Sequence, residues 1–161
     1  MPNILFVCTG NTCRSPIAAA LLQERLHEVN ETDWIVTSAG IRANNGEPAT
    51  PYSVQLMAER GIDLSEHRSH TFDFDLIRPS ALILCMEKTQ VDWIKAHYPE
   101  KCGNIYMLSE LSGRQIDVPD PYGGTLAVYQ QMVSDLMTLI DAGLPRIIKE
   151  LKGPTFNSTD C

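Results

Sequence analysis

The fold of this chain is decided by residues 4–16, which read ILFVCTGNTCRSP. The four apolar, β-favouring residues at the start are typical of a buried strand in a parallel sheet. A short polar loop follows them. Pro16 then precedes a run rich in alanine and leucine, which predicts a helix with proline in its favoured first turn. The loop is therefore expected to join the carboxyl end of a strand to the N-terminus of a helix.

This loop is a predicted anion site, because backbone N–H groups and the positive end of the helix dipole would converge on one point. Cys8 stands at its rim. The N–H donors, the helix N-terminus and Arg14 all favour the thiolate, so we expect a lowered pKa for the Cys8 thiol. Ser15 offers a hydroxyl to the sulfur, and Gly10 with Asn11 tolerates a left-handed backbone.

The combination of Cys8 and Arg14 predicts phosphoryl transfer through a cysteinyl-phosphate, since a guanidinium can hold two phosphoryl oxygens at once. Such a reaction needs a general acid for the leaving group. Asp120 is the candidate, because prolines on both sides restrict its carboxylate to one loop. The phosphoryl group itself would be cradled by Thr9, Gly10, Asn11, Thr12, Cys13, Arg14 and Ser15.

Composition limits the remaining possibilities. A chain of 161 residues with 43% hydrophobic content predicts a single domain over residues 1–152, followed by a flexible tail over residues 153–161. The formal charge of −7 argues against nucleic acid or an anionic membrane as a partner. There is no signal peptide pattern, so we expect a cytoplasmic protein. Neither the cysteines nor the histidines show metal-ligand spacing, which predicts no metal and no cofactor.

Alternating strand and helix patterns predict a doubly wound α/β fold with a parallel, mostly four-stranded, flavodoxin-like sheet. The predicted strands cover residues 4–7, 34–40, 81–86 and 104–108, and the predicted helices cover residues 16–28, 50–60, 88–97 and 126–140. Residues 62–80 show only loops and short helical turns. Pro145 is expected to break or kink the last helix before a final turn.

The run VCTGNTCRSP resembles the signature loop of the low-molecular-weight protein tyrosine phosphatase family. The loop around Asp120, DPY, is similar to that family's aspartate-proline-aromatic loop, and the resemblance covers nearly the whole chain. It implies that Ser38 and His67 support Asn11 and Ser15 from behind the loop. It also implies phosphorylated proteins as substrates, and inorganic phosphate as a product and weak inhibitor.

The choice of phosphorylated residue depends on Thr12, which stands where relatives commonly carry isoleucine. Here the loop is similar to that of the bacterial protein-arginine phosphatases. Gly123 replaces a second aromatic residue, and Asn44 lies near the place of another apolar wall. A polar surround suits a guanidino group, so we favour phosphoarginine. The alternative is phosphotyrosine, with Tyr122 alone stacking on the ring.

Two other functions remain open at this point. Some relatives in the family are thiol-dependent arsenate reductases, which need relay cysteines that are not evident here. An inactive phosphate-binding module would normally have lost Cys8, Arg14 or Asp120. A further expectation concerns oxidation: Cys13 lies five residues from Cys8 across a tight loop, which predicts a reversible disulfide between them.

Overall fold

A computed structural model describes residues 2–101 and 103–153. Its strands are β1 (Asn3–Cys8), β2 (Ile35–Gly40), β3 (Ser80–Cys85) and β4 (Ile105–Met107). Its helices are α1 (Arg14–Glu28), α2 (Pro51–Ala58), α3 (Phe74–Ile77), α4 (Lys88–His97) and α5 (Leu126–Lys152), with short 3₁₀ turns at Pro99–Lys101 and Leu108–Ser112. The four predicted strands and four predicted helices are all present, with ends shifted by two residues or fewer except in the last helix, which ends at Lys152 instead of near residue 140. α3 is an additional short helix within the poorly patterned region.

All four strands pair in parallel, in the order β2-β1-β3-β4. The prediction of a doubly wound parallel α/β sheet is confirmed. The chain goes from β1 to β2 on one side and then crosses to β3 on the other side. Such a reversal leaves a crevice at the carboxyl ends of the strands, where ligands bind in open α/β sheets. The loop that follows β1 opens at that crevice.

The two faces of the sheet bury separate apolar clusters, because successive strand residues point to opposite sides. Ile4 and Phe6 face the cluster that contains buried residues of α1 and α5. Leu5 and Val7 face the second cluster, to which α4 contributes. β1 is thus buried from both sides, which explains why its sequence is a continuous apolar run. This packing holds the end of β1, and the loop after it, in one position.

The last helix differs from the expectation at Pro145. α5 continues through this proline without a break, from Leu126 to Lys152. Gly143 and Ile147 are buried on either side of it, and a Cβ at Gly143 would lie 3.0 Å from Leu111 Cβ. Close packing on both sides therefore outweighs the hydrogen bond that proline cannot make. The carbonyl left without that bond belongs to Asp141, which is exposed to water.

The predicted tail lies, apart from Gly153, outside the described residues. Within the described part of the chain, no helix has the length and apolar character needed to cross a membrane. The same residues contain no group of three or more histidine, cysteine, aspartate or glutamate side chains that could hold a metal ion.

Candidate active site

The loop between β1 and α1 is built around Asn11, which is fully buried and has a left-handed backbone with φ of 56°. The backbone N–H of Asn11 donates to Cys8 Sγ at 3.3 Å, and its side-chain Nδ2 donates to Ser15 Oγ at 2.8 Å. The left-handed turn thereby aims a backbone donor at the thiol. Asparagine is one of the few residues that adopt this conformation at low cost.

Three residues outside the loop hold Asn11 in place. Ser38 Oγ accepts a hydrogen bond from Asn11 Nδ2 at 2.9 Å, and the backbone N–H of His70 donates to Asn11 Oδ1 at 2.8 Å. His67 Nε2 lies 2.8 Å from the Asn11 carbonyl oxygen. A carbonyl only accepts, so His67 Nε2 carries a proton. Burial, above all, lowers the pKa of His67, which favours the neutral ring.

The Cys8 thiol is buried, and its Sγ lies 3.0 Å from Ser15 Oγ. Burial is the largest influence and raises the pKa of the Cys8 thiol, while Ser15, Arg14 and the Asn11 N–H act to lower it. The net direction is upward, so the expected lowering of the Cys8 pKa is wrong. The sequence identified the groups that favour the thiolate, but it gave no measure of how completely the sulfur is withdrawn from water.

We expect Ser15→Ala to raise the pKa of Cys8 further, because the hydroxyl is the largest influence that lowers it. The rate of Cys8 alkylation by iodoacetate should then rise at a higher pH than in the wild type. Ser134→Ala, an exposed change on α5, serves as the matched control. An alkylation profile that stays in place or moves to lower pH would contradict the role of Ser15.

The end of β2 approaches this loop closely at Gly40. A Cβ added there would lie 2.5 Å from the Thr9 carbonyl oxygen and 2.9 Å from the Asn11 nitrogen. Any side chain at this position would displace the loop backbone. Gly40 is thus a site residue that the sequence indicated only as the end of a strand.

Arg14 is the largest fully buried side chain, and its charge is paired. Its Nη1 donates to Glu87 Oε1 and to the Val118 carbonyl oxygen, both at 2.8 Å. Its Nη2 lies 3.7 Å from Asp120 Oδ2. A buried guanidinium needs such partners to offset its lost hydration. These contacts fix the orientation of the Arg14 guanidinium.

The segment from the end of β3 into α4 contacts the β1–α1 loop at two places, through Glu87 at Arg14 and through Gln90 at Thr9. Gln90 is buried, and its Oε1 accepts from the backbone N–H groups of Met86 and Glu87, each at 3.0 Å. Its Nε2 donates to Thr9 Oγ1 at 3.3 Å. Glu87 and Gln90 were missed from the sequence. Their position directly after a strand that ends at the ligand-binding edge was the available signal.

Asp120 lies at the entrance of the site, on the loop before α5. Its Oδ1 accepts from the Tyr122 backbone N–H at 3.0 Å, while Oδ2 faces Arg14. The backbone N–H of Val118 donates to the Met86 carbonyl oxygen at 2.9 Å, which ties this loop to the end of β3. The fold thus brings Asp120 to the same opening as the β1–α1 loop, over one hundred residues away in the chain.

These residues enclose a cavity of about 210 Å³, which we call the phosphate cavity. It is lined by Thr9, Gly10, Asn11, Thr12, Cys13, Arg14, Asp120 and Tyr122. Neither Ser15, predicted among the phosphate-binding residues, nor Cys8, the predicted nucleophile, is part of this lining. Asn44 lines instead a neighbouring cavity of about 510 Å³, together with Thr12 and Tyr122. Its carbonyl accepts a hydrogen bond from the Ser69 hydroxyl.

The Cys13 side chain extends from the loop toward α5 and the start of α2. Its Sγ is 3.4 Å from the Tyr129 hydroxyl on α5 and 3.5 Å from Thr50 Oγ1, the residue before α2. Burial, followed by the Cys13 contact, raises the pKa of Tyr129 to about 12. Cys8 and Cys13 are both free thiols. A disulfide between them stays a prediction.

Comparison with known proteins agrees with this geometry. The family model described as low molecular weight phosphotyrosine protein phosphatase matches residues 3–154. A probable low molecular weight protein-tyrosine-phosphatase of Ralstonia nicotianae, EpsP, is 41% identical over 145 residues, covering 90% of this chain and 95% of the relative. A protein-arginine-phosphatase of Geobacillus stearothermophilus is 39% identical over 140 residues, covering 86% of this chain and 91% of that protein.

Solved structures give the same grouping. The YwlE arginine phosphatase from Geobacillus stearothermophilus superimposes with a TM-score of 0.85 at 34% identity, over 98% of this chain and 100% of that structure. The chain belongs to the low molecular weight phosphotyrosine protein phosphatase family and is a protein phosphatase.

Proposed function

We propose that this phosphatase acts on phosphoarginine in proteins and works through a cysteinyl-phosphate on Cys8. The observation that carries the proposal is the set of side chains that line the phosphate cavity. Tyr122 is the single aromatic residue in its lining, and this ring is 75% exposed. Thr12 and Asp120 supply a hydroxyl and a carboxylate in the same lining. A guanidino group has several N–H donors that need such acceptors, whereas a phenyl ring needs flat apolar walls.

Thr12 is suitably placed to select the substrate. Its backbone carbonyl accepts from the Thr50 N–H at 3.0 Å, which fixes the residue against the start of α2. Its hydroxyl makes only a long contact of 3.8 Å, with Cys13 Sγ, among the side chains of the described residues. The hydroxyl is therefore available to a bound guanidino group. Two relatives whose names specify arginine, from Geobacillus stearothermophilus and Bacillus subtilis, support this assignment.

In the proposed reaction, the Cys8 thiol first passes its proton to an oxygen of the bound phosphoryl group, which returns it when phosphate is released. The resulting thiolate attacks phosphorus, and the bond from phosphorus to the guanidino nitrogen breaks. Asp120 gives its proton to that nitrogen, so arginine leaves as a neutral guanidine that water then protonates. Asp120, now a carboxylate, takes a proton from water as the water oxygen attacks phosphorus. The sulfur–phosphorus bond breaks and inorganic phosphate is released. Arg14 and the loop N–H groups hold the phosphoryl oxygens throughout.

Phosphotyrosine is the second candidate substrate. Tyr122 could stack on a phenyl ring at the entrance, and the Ralstonia relative carries a tyrosine phosphatase name.

The arsenate reductase alternative has less support, because Cys85 is buried in β3 and burial raises the pKa of its thiol far above the ordinary range. Cys102 and Cys161 lie outside the described residues. An inactive binding module would need neither the Cys8 thiol beneath the loop nor Asp120 beside Arg14.

The deciding experiment compares hydrolysis of phosphoarginine and phosphotyrosine peptides by the wild type and by Thr12→Ile. The substitution removes a hydroxyl and adds apolar surface, so it should leave guanidino N–H groups less satisfied and improve contact with a phenyl ring. We expect the ratio of kcat/KM for phosphoarginine over phosphotyrosine to fall by about tenfold or more.

Thr12→Val is the matched control, because it keeps the branched shape of threonine and removes only the hydroxyl. It should lower the same ratio by a smaller factor. Wild-type protein that prefers phosphotyrosine would overturn the phosphoarginine assignment. A ratio that Thr12→Ile leaves unchanged would show that another residue selects the substrate.

A further inference from the structure

A second cavity of about 240 Å³, the flanking cavity, opens beside the phosphate cavity. Its lining consists of Thr9, Ile41, Arg42, Thr89, Gln90 and Trp93. Thr9 also lines the phosphate cavity, so the two spaces adjoin at the β1–α1 loop. Nothing in the proposed reaction uses the flanking cavity. A protein substrate whose phosphorylated side chain enters the phosphate cavity would place a neighbouring residue against it.

Arg42 is the only charged residue that lines the flanking cavity, and it is positive in a chain of net charge −7. It is exposed, and no carboxylate of the described residues pairs with it. Its backbone N–H donates to the Thr9 carbonyl at 2.9 Å, and the N–H of Ile41 donates to the Cys8 carbonyl at 3.0 Å. The backbone of the residue that carries this guanidinium is thus bonded directly to the loop that carries the proposed nucleophile.

The other part of the flanking cavity is apolar, because Trp93 and Ile41 line it. The Trp93 ring is stacked on His97 with centroids 4.1 Å apart, and its edge meets Phe72 at 6.1 Å. These contacts hold the indole in one orientation, so it forms a rigid wall. The flanking cavity therefore combines a fixed apolar wall with a single unpaired cation.

We propose that the flanking cavity binds an acidic side chain of the protein substrate, aspartate or glutamate, close to the phosphorylated residue. Arg42 is then a specificity-determining residue. The methylene groups of a glutamate would cover Ile41 and Trp93, and its carboxylate would accept two hydrogen bonds from the Arg42 guanidinium. This inference rests on the proposed function in one respect, namely that the substrate is a phosphorylated side chain within a protein.

The test uses two series of peptides, one with phosphoarginine and one with phosphotyrosine. Within each series the neighbouring residue is glutamate, glutamine or lysine, on either side of the phosphorylated position. The readout is the ratio of kcat/KM for the glutamate peptide over the lysine peptide. We expect a ratio of about ten in the wild type, since one partly screened ion pair replaces one repulsion. Arg42→Gln should bring the ratio close to one, and Arg42→Glu should invert it.

Arg78→Glu is the matched control, because it makes the same charge change at an exposed position just before β3, on the opposite edge of the sheet. It should leave the ratio at the wild-type value. A wild-type ratio near one, or equal losses on all peptides in the Arg42 variants, would overturn the proposal. A preference for the phosphotyrosine series would overturn the phosphoarginine assignment alone, because the Arg42 ratio is measured separately in each series.

Discussion

Cys8→Ser should abolish turnover, with a loss in kcat of more than about a thousandfold on every phosphorylated substrate. Only the thiolate attacks phosphorus in the proposed reaction, and a serine hydroxyl at this position has no adjacent base that would activate it. The Asn11 N–H, 3.3 Å from the sulfur, and the paired Arg14 remain in place. The variant should therefore still bind inorganic phosphate, which isothermal titration calorimetry measures.

The matched control is Cys85→Ala, which removes a buried thiol from β3 that has no part in the proposed reaction. It should retain activity close to the wild type. Substantial phosphatase activity in Cys8→Ser would refute covalent catalysis at Cys8. Loss of both activity and phosphate binding, with an altered circular dichroism spectrum, would show that the thiol is needed for the fold of the loop.

Asp120→Ala should slow the first chemical step by a factor of roughly 10² to 10⁴ on substrates with poor leaving groups, because their departure depends on a proton. Aryl phosphates with strongly acidic phenols leave without protonation and should lose far less. A series of aryl phosphates, in which only the leaving-group pKa varies, measures this dependence. The slope of log kcat/KM against that pKa should be steeper in the variant than in the wild type.

Asp120→Asn separates the acid from its structural contact. The amide oxygen can still accept from the Tyr122 N–H, as Oδ1 of Asp120 does at 3.0 Å, but the side chain has no acidic proton to give. The two variants should therefore show similar slopes. An asparagine variant with wild-type slope would mean that Asp120 orders the loop, and equal losses across the aryl series would argue against an acid role. Asp135→Ala, on the surface of α5, controls for the loss of a carboxylate.

Much of the fold could be predicted because its signals are local. β1 is a continuous apolar run, which a strand buried on both faces requires, and the patterns of α1 and α4 are those of ordinary helices. The parallel sheet follows from strand and helix alternation. The predicted break at Pro145 is wrong for the same reason: the local rule holds for an isolated helix, whereas α5 is packed along its length.

The sequence by itself determined which reactive side chains the chain offers, and from them it predicts the chemistry of the site. The run from Cys8 to Arg14 contains the proposed nucleophile and the proposed oxyanion clamp within seven residues, and Asp120, flanked by prolines, is the proposed acid. What only the tertiary structure decided is how these groups are held and tuned. Glu87 and Gln90 reach the loop from another strand end, and Gly40 is needed for a close approach of two backbones. The raised pKa of Cys8 depends on its depth below the surface. Burial and contacts between distant segments are properties of the packed chain, because they arise only when residues far apart in sequence share one space.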